Sequence, residues 1–156
     1  MKMKKIALTG LVTAALVFAP SAAADVPGLA PFVGQWHAHQ SGLTINADGS
    51  GHLTYSDISA CSGPCSFADA PTGTADFTLT SVSGDTATGS VTATSDTNND
   101  TVGGPVTIKL VTGIGYPYTG PPASVSGTNG VVLTVSMGKM RDWNYCNDTT
   151  HNYCGG

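Results

Sequence analysis

Four groups of residues in the 156-residue chain have the types and spacing that chemistry requires. Cys61-Ser-Gly-Pro-Cys65 and the pair Cys146 and Cys154 hold all four cysteines. His37-Ala-His39 sets two imidazoles on alternate positions, as some zinc sites do. Asp96-Thr-Asn98-Asn-Asp100 alternates oxygen donors in the manner of the start of a calcium loop. Tyr116-Pro-Tyr118-Thr-Gly-Pro-Pro122 carries two phenols on a stiff, proline-rich stretch.

Each group has a plainer reading. Four cysteines in an exported chain are most simply two disulfides. Proximity in sequence favours Cys61–Cys65 and Cys146–Cys154, while the crossed pairing, which would tie the tail to the 58–73 loop, stays open. Neither spacing is the C-x-x-C of a redox dithiol, and no basic residue flanks a thiol. His37 and His39 lack an obvious third ligand: His52 pairs too far along the next strand, and His151 reaches them only if the tail folds back. Otherwise they are solvated surface histidines. The calcium pattern fails at its sixth position, Thr101, and at its twelfth, Thr107, where glycine and an acidic residue belong. No nucleophile elbow, zinc-protease helix or phosphate-cradling loop occurs. No catalytic residue and no cofactor is therefore assigned. Tyr116 and Tyr118 remain the candidate ligand-binding residues, because proline holds such a segment extended at small entropic cost.

The elements that would position these groups are strands. Glu is absent, and Lys, Arg and Gln are few, so the residues that lose little freedom in a helix are missing. Thr, Val, Gly, Asp and Asn replace them and favour strands and turns. Phe32 to Asp57 reads as a hairpin turning at Asp48-Gly49, with Leu43, Ile45, Leu53 and Tyr55 on its inner face. An unbroken first strand would point Trp36 away from that face. A bulge at Ser41-Gly42 restores Trp36 and Ala38 to the core and leaves His37 and His39 exposed together. Alternation recurs over Thr74–Val82, Thr86–Ser95, Val106–Leu110 and Val131–Met137, with Met140 to Gly156 left as a disulfide-stapled tail. The expected fold is all-β: one antiparallel up-and-down barrel of about eight strands, or failing that a sandwich.

The first 24 residues read as a signal peptide: Lys2, Lys4 and Lys5, an apolar run from Ile6 to Phe18, then Ala22-Ala23-Ala24 as cleavage site. The remaining 132 residues, 25–156, suit a single domain. They carry three basic residues, Lys109, Lys139 and Arg141, against ten Asp, a net charge of −7. Such a balance gives no footprint for nucleic acid. No later apolar run is long enough to span a membrane. Secretion or association with the cell envelope is the expected location, and nothing in the chain bears on oligomeric state.

Gly34-Gln35-Trp36 at the start of the first strand resembles the G-x-W signature of lipocalin-like and avidin-like barrels. Ser41-Gly42-Leu43-Thr44-Ile45, Gly51 and Tyr55-Ser56 are similar to the first hairpin of avidin. The run from Phe32 to Tyr55 also resembles a group of small secreted actinobacterial proteins of unknown function, whose chains end in a Cys…Cys-Gly tail. The lipocalin likeness implies that Trp36 plugs one end of the barrel and that Arg141 packs over it as a cation on an aromatic face. Avidin lines its biotin pocket with several Trp on later strands, whereas this chain offers only Trp143, which argues against biotin. The expected function is a secreted, non-enzymatic binding protein holding a small apolar or amphipathic ligand at a barrel mouth lined by the 113–122 loop. An envelope or host-facing protein-interaction module is the alternative, followed by an exported metal-dependent hydrolase using His37 and His39.

Overall fold

The computed structural model describes residues 24–66, 68–112, 114–115, 123–124, 131–147 and 154. The strands are β1 (Gly34–Ala38), β2 (Ser41–Ile45), β3 (Ser50–Ser56), β4 (Thr72–Ser83), β5 (Thr86–Thr94), β6 (Pro105–Thr112), β7 (Ile114–Gly115), β8 (Ala123–Ser124), β9 (Val131–Met137) and β10 (Met140–Cys146). Eight of them close an antiparallel up-and-down barrel in the order β1-β10-β9-β6-β5-β4-β3-β2, and β7 pairs with β8 outside it. The helices among the described residues are two single 3-10 turns, Ala30–Phe32 and Ile58–Ala60.

The parity of the first strand is restored by a tighter device than the expected bulge. β1 ends at Ala38, the chain reverses through His39-Gln40, and Ala38 pairs with Ser41. Gln40 takes the left-handed conformation, φ 51°, that this reversal needs. A two-residue turn and a bulge flip the alternation alike, and His39-Gln40 lacks the Asn-Gly or Asp-Gly signature that would have separated them. Trp36 then lies opposite Leu43, and both are buried.

The tail also differs from expectation, because Met140–Cys146 is the strand that closes the barrel, pairing with β9 on one side and β1 on the other. Its register shifts between Met140 and Trp143, where Asp142 sits at φ 50° and its backbone N–H binds Ser136 Oγ at 3.1 Å. The resulting bulge breaks the two-residue period that marks a strand in sequence.

The inner faces of the strands fill the barrel with Leu43, Phe77, Leu79, Ile108, Leu133 and Val135 around Trp36. Phe77 lies against Gly51 on β3, where a Cβ would overlap its ring. One end is stoppered by the N-terminal segment: Leu29 and Phe32 are buried, and the Trp36 indole N–H donates to the Phe32 carbonyl at 2.9 Å. Arg141 does not share in this plug. It is exposed, five residues along β10 from Cys146, which pairs with His37. At about 3.3 Å per residue the separation is roughly 16 Å, too far for the expected stacking on Trp36.

Both sequence-adjacent disulfides form, Cys61–Cys65 and Cys146–Cys154. Cys146 and Cys154 make a small apolar cluster with Val132, apart from the main core. Two disulfides belong with an oxidising, extracytoplasmic environment. No helix among the described residues is long and apolar enough to cross a membrane. Trp36→Ala is expected to lower stability by about 3–5 kcal/mol, read as a fall in the urea midpoint. Replacing Cys146 and Cys154 together by Ala should lower it by about 2–3 kcal/mol through the loop that the bond closes.

Candidate ligand site at the open end of the barrel

An up-and-down meander sends alternate connections to opposite ends. The turns at 46–49 and 84–85, the end of β6 and the start of β9 lie at the plugged end. The His39-Gln40 turn, the 57–71 and 95–104 loops and the Gly138-Lys139 turn therefore rim the other end together. Between them lies a cavity of about 340 Å³.

Its walls begin where the inner faces of the strands run past the packed core. Tyr55 on β3 and Tyr145 on β10 stand above Leu53, and Met140 and Trp143 continue the inner side of β10 to the rim. Trp143 pairs with the buried Val135, yet it is 47 % exposed at the rim, where β1 has already ended at Ala38. The Tyr145 hydroxyl meets Ser41 Oγ at 2.7 Å, and Ser41 Oγ donates to the Thr54 carbonyl at 2.8 Å. Burial pushes the Tyr145 phenol up to about 12, against a partial opposing effect of the Ser41 bond.

The polar side of the cavity comes from the 95–104 loop. Asp96 organises it: its carboxylate accepts from the backbone N–H groups of Asn98 (3.0 Å) and Asn99 (3.2 Å), from the Asn99 side-chain amide and from the Tyr55 hydroxyl (3.2 Å). Burial alone would raise the Asp96 carboxyl, but these donors outweigh it and hold it below the usual aspartate value. Burial, followed by the charges of Asp96 and Asp100, raises the Tyr55 phenol. The Asp96 oxygens, the first of those that made this stretch look like a calcium loop, are thus satisfied by the donors of their own turn and by Tyr55.

Asp100 is different. It is only 4 % exposed and lines the cavity, and its carboxylate has no hydrogen-bond or ion-pair partner among the described residues. Burial, and then the charge of Asp96, raises its pKa above the ordinary aspartate value. One carboxylate oxygen lies so close over Gly138 that a Cβ there would overlap it, and Gly138 has φ 56°. Lys139 is exposed at the rim and makes no ion pair with Asp100 among the described residues. Asp57, across the mouth, is occupied in capping the 3-10 turn through Ser59.

The sequence-derived candidates are spread around this arrangement. His39 lines the cavity from the turn, whereas His37 is exposed on β1. His52 sits opposite Thr44 and meets Asp76 at 2.5 Å on the exposed surface, remote from both. No group of three or more His, Cys, Asp or Glu residues converges on a common point among the described residues, so nothing there completes a metal site around His37 and His39. Tyr116 and Tyr118 lie outside the described residues, and β6, the strand that leads toward them, runs to the plugged end. Sequence reasoning missed Tyr55, Asp100, Trp143 and Tyr145 as neighbours. The two-residue step from Trp143 to Tyr145 was the available signal for a common face on β10. Comparisons with family models, with curated proteins and with solved structures found no match to this chain.

Two pH dependences follow. The Tyr145 phenol is neutral in both states below pH 10, its unfolded value; from there to about 12 the unfolded chain releases the proton first. Stability should therefore fall with pH across that window, and Tyr145→Phe should lessen the fall in the urea midpoint. For Asp100 the raised carboxyl costs stability once it ionises, so Asp100→Asn should raise the urea midpoint at pH 7. Below the unfolded aspartate value of 3.8 both states are protonated and that gain should vanish. Among the described residues the titratable groups around Asp100 are Asp96 in its own loop and, lining the same cavity, Tyr55, Asp57, Lys139, Tyr145 and His39.

Proposed function

We propose that this protein is an exported, non-enzymatic binder that holds a small amphipathic molecule in the open end of its barrel. The observation that carries the reading is the cavity itself: about 340 Å³, walled by Tyr55, Met140, Trp143 and Tyr145 and containing a buried carboxylate. Ligand sites commonly measure 300–1,000 Å³ and combine apolar and aromatic walls with a few placed polar groups. An eight-stranded barrel has room for either its own side chains or one small ligand. Here the two uses divide by height, with packed core below and open space above. The half-exposed Trp143 supports the same reading, since an indole at a cavity rim gains from a ligand that covers it.

The position favours the mouth formed by the 39–40, 57–71, 95–104 and 138–139 connections over the 113–122 segment. The eight-strand closure and the setting of Trp36 beside the Phe32 plug support the likeness to lipocalin-like and avidin-like barrels. Export is supported by the two disulfides, which persist in oxidising compartments. Native mass spectrometry of protein from its native host is expected to show a co-purified small molecule, with lower occupancy in Trp143→Ala. A protein that carries no adduct, and whose Tm no amphiphile raises, overturns the reading.

A further inference from the structure

We propose, resting on the reading of the mouth cavity as a ligand site, that its ligand is an organic cation: a protonated amine on an apolar body, with the amine seated at Asp100. A buried carboxylate without a partner is expensive, and folded chains ordinarily pair it, hydrogen-bond it or leave it in water. Among the described residues the Asp100 carboxylate has neither an ion pair nor a hydrogen bond, and it meets solvent only from the cavity it lines. It is 4 % exposed, faces the cavity and receives no donor among the described residues. Asp96, four residues earlier, shows that the same loop can satisfy a carboxylate, since it accepts from Asn98, Asn99 and Tyr55. The missing donor at Asp100 is therefore one that the ligand can supply.

The walls select the kind of donor. Tyr55, Trp143 and Tyr145 surround the cavity, and aromatic faces attract organic cations while covering their apolar portions. An inorganic divalent ion is a poorer fit. It needs several oxygen ligands, the Asp96 oxygens are already engaged, and no cluster of three acidic or imidazole groups forms among the described residues. Among the described residues lining the cavity, Lys139 carries the one Lys or Arg charge and is exposed at the rim, and an anionic amphiphile would bring a second negative charge toward Asp100.

The test is calorimetric titration of the mature protein at pH 7 with 1-octylammonium, 1-octanol and octanoate, three heads on one apolar body, and separately with calcium chloride. Octylammonium is expected to bind about ten- to a hundredfold more tightly than octanol, the range of one charge-assisted hydrogen bond. Asp100→Asn should abolish that preference while octanol affinity is kept, and Trp143→Ala should weaken octylammonium and octanol alike. Equal affinity for the three heads, an octylammonium preference that survives in Asp100→Asn, or calcium binding that is lost in Asp100→Asn overturns the amine assignment and leaves the cavity reading standing. If none of the three amphiphiles binds wild type or either variant, the cavity reading itself falls.

Discussion

The hydrogen bond from the Trp36 indole to the Phe32 carbonyl decides which end of this barrel is closed. An indole N–H in an apolar interior must find an acceptor, and the first one available is the backbone of the segment that crosses the barrel end. That bond fixes the 3-10 turn Ala30–Phe32 over the core and brings Leu29 and Phe32 into it. With that end stoppered, and with connections alternating between ends in an up-and-down meander, open space is left at the other. The open cavity is in this sense a consequence of the plug.

The two carboxylates of the 95–104 loop show how one short segment sets the same group in two environments. Asp96 spends its oxygens on the turn and on Tyr55, so its charge is well solvated by protein donors. Asp100 follows on the same turn but faces the cavity, held over Gly138 where no side chain intervenes. Burial and the charge of Asp96 raise its carboxyl, whereas that of Asp96 is lowered. The aromatic residues above it also differ: Tyr145 is buried and tied to Ser41, while Trp143 is left half-uncovered. Rigid wall, open rim and buried charge together give the mouth a polarity that the packed lower barrel lacks.

The candidate site was harder to read than the fold. The Asp96 to Asp100 stretch stood out by spacing, but as a cation loop, because spacing does not reveal that the backbone N–H groups of Asn98 and Asn99 would take the Asp96 oxygens. His37 and His39 stood out as a pair on one strand face, yet the chain reverses at His39-Gln40, and only His39 comes to the cavity. The Tyr116 and Tyr118 segment, expected at the mouth, lies outside the described residues. Arg141 was placed over Trp36 by likeness, and the β1–β10 register separates them.

Composition and local alternation were enough to determine an all-β chain, its middle strands and the Asp48-Gly49 turn, and proximity favoured the two short-range disulfides that form. Each rests on neighbours within a few residues, where period-two burial and turn chemistry act. What only the tertiary structure decided is the closing strand Met140–Cys146, whose bulge at Asp142 erases the period, and the meeting of Tyr55, Asp100, Trp143 and Tyr145 around one cavity. Those residues come from three separate parts of the chain, and their approach depends on barrel closure and strand register, which are long-range properties that no local pattern encodes.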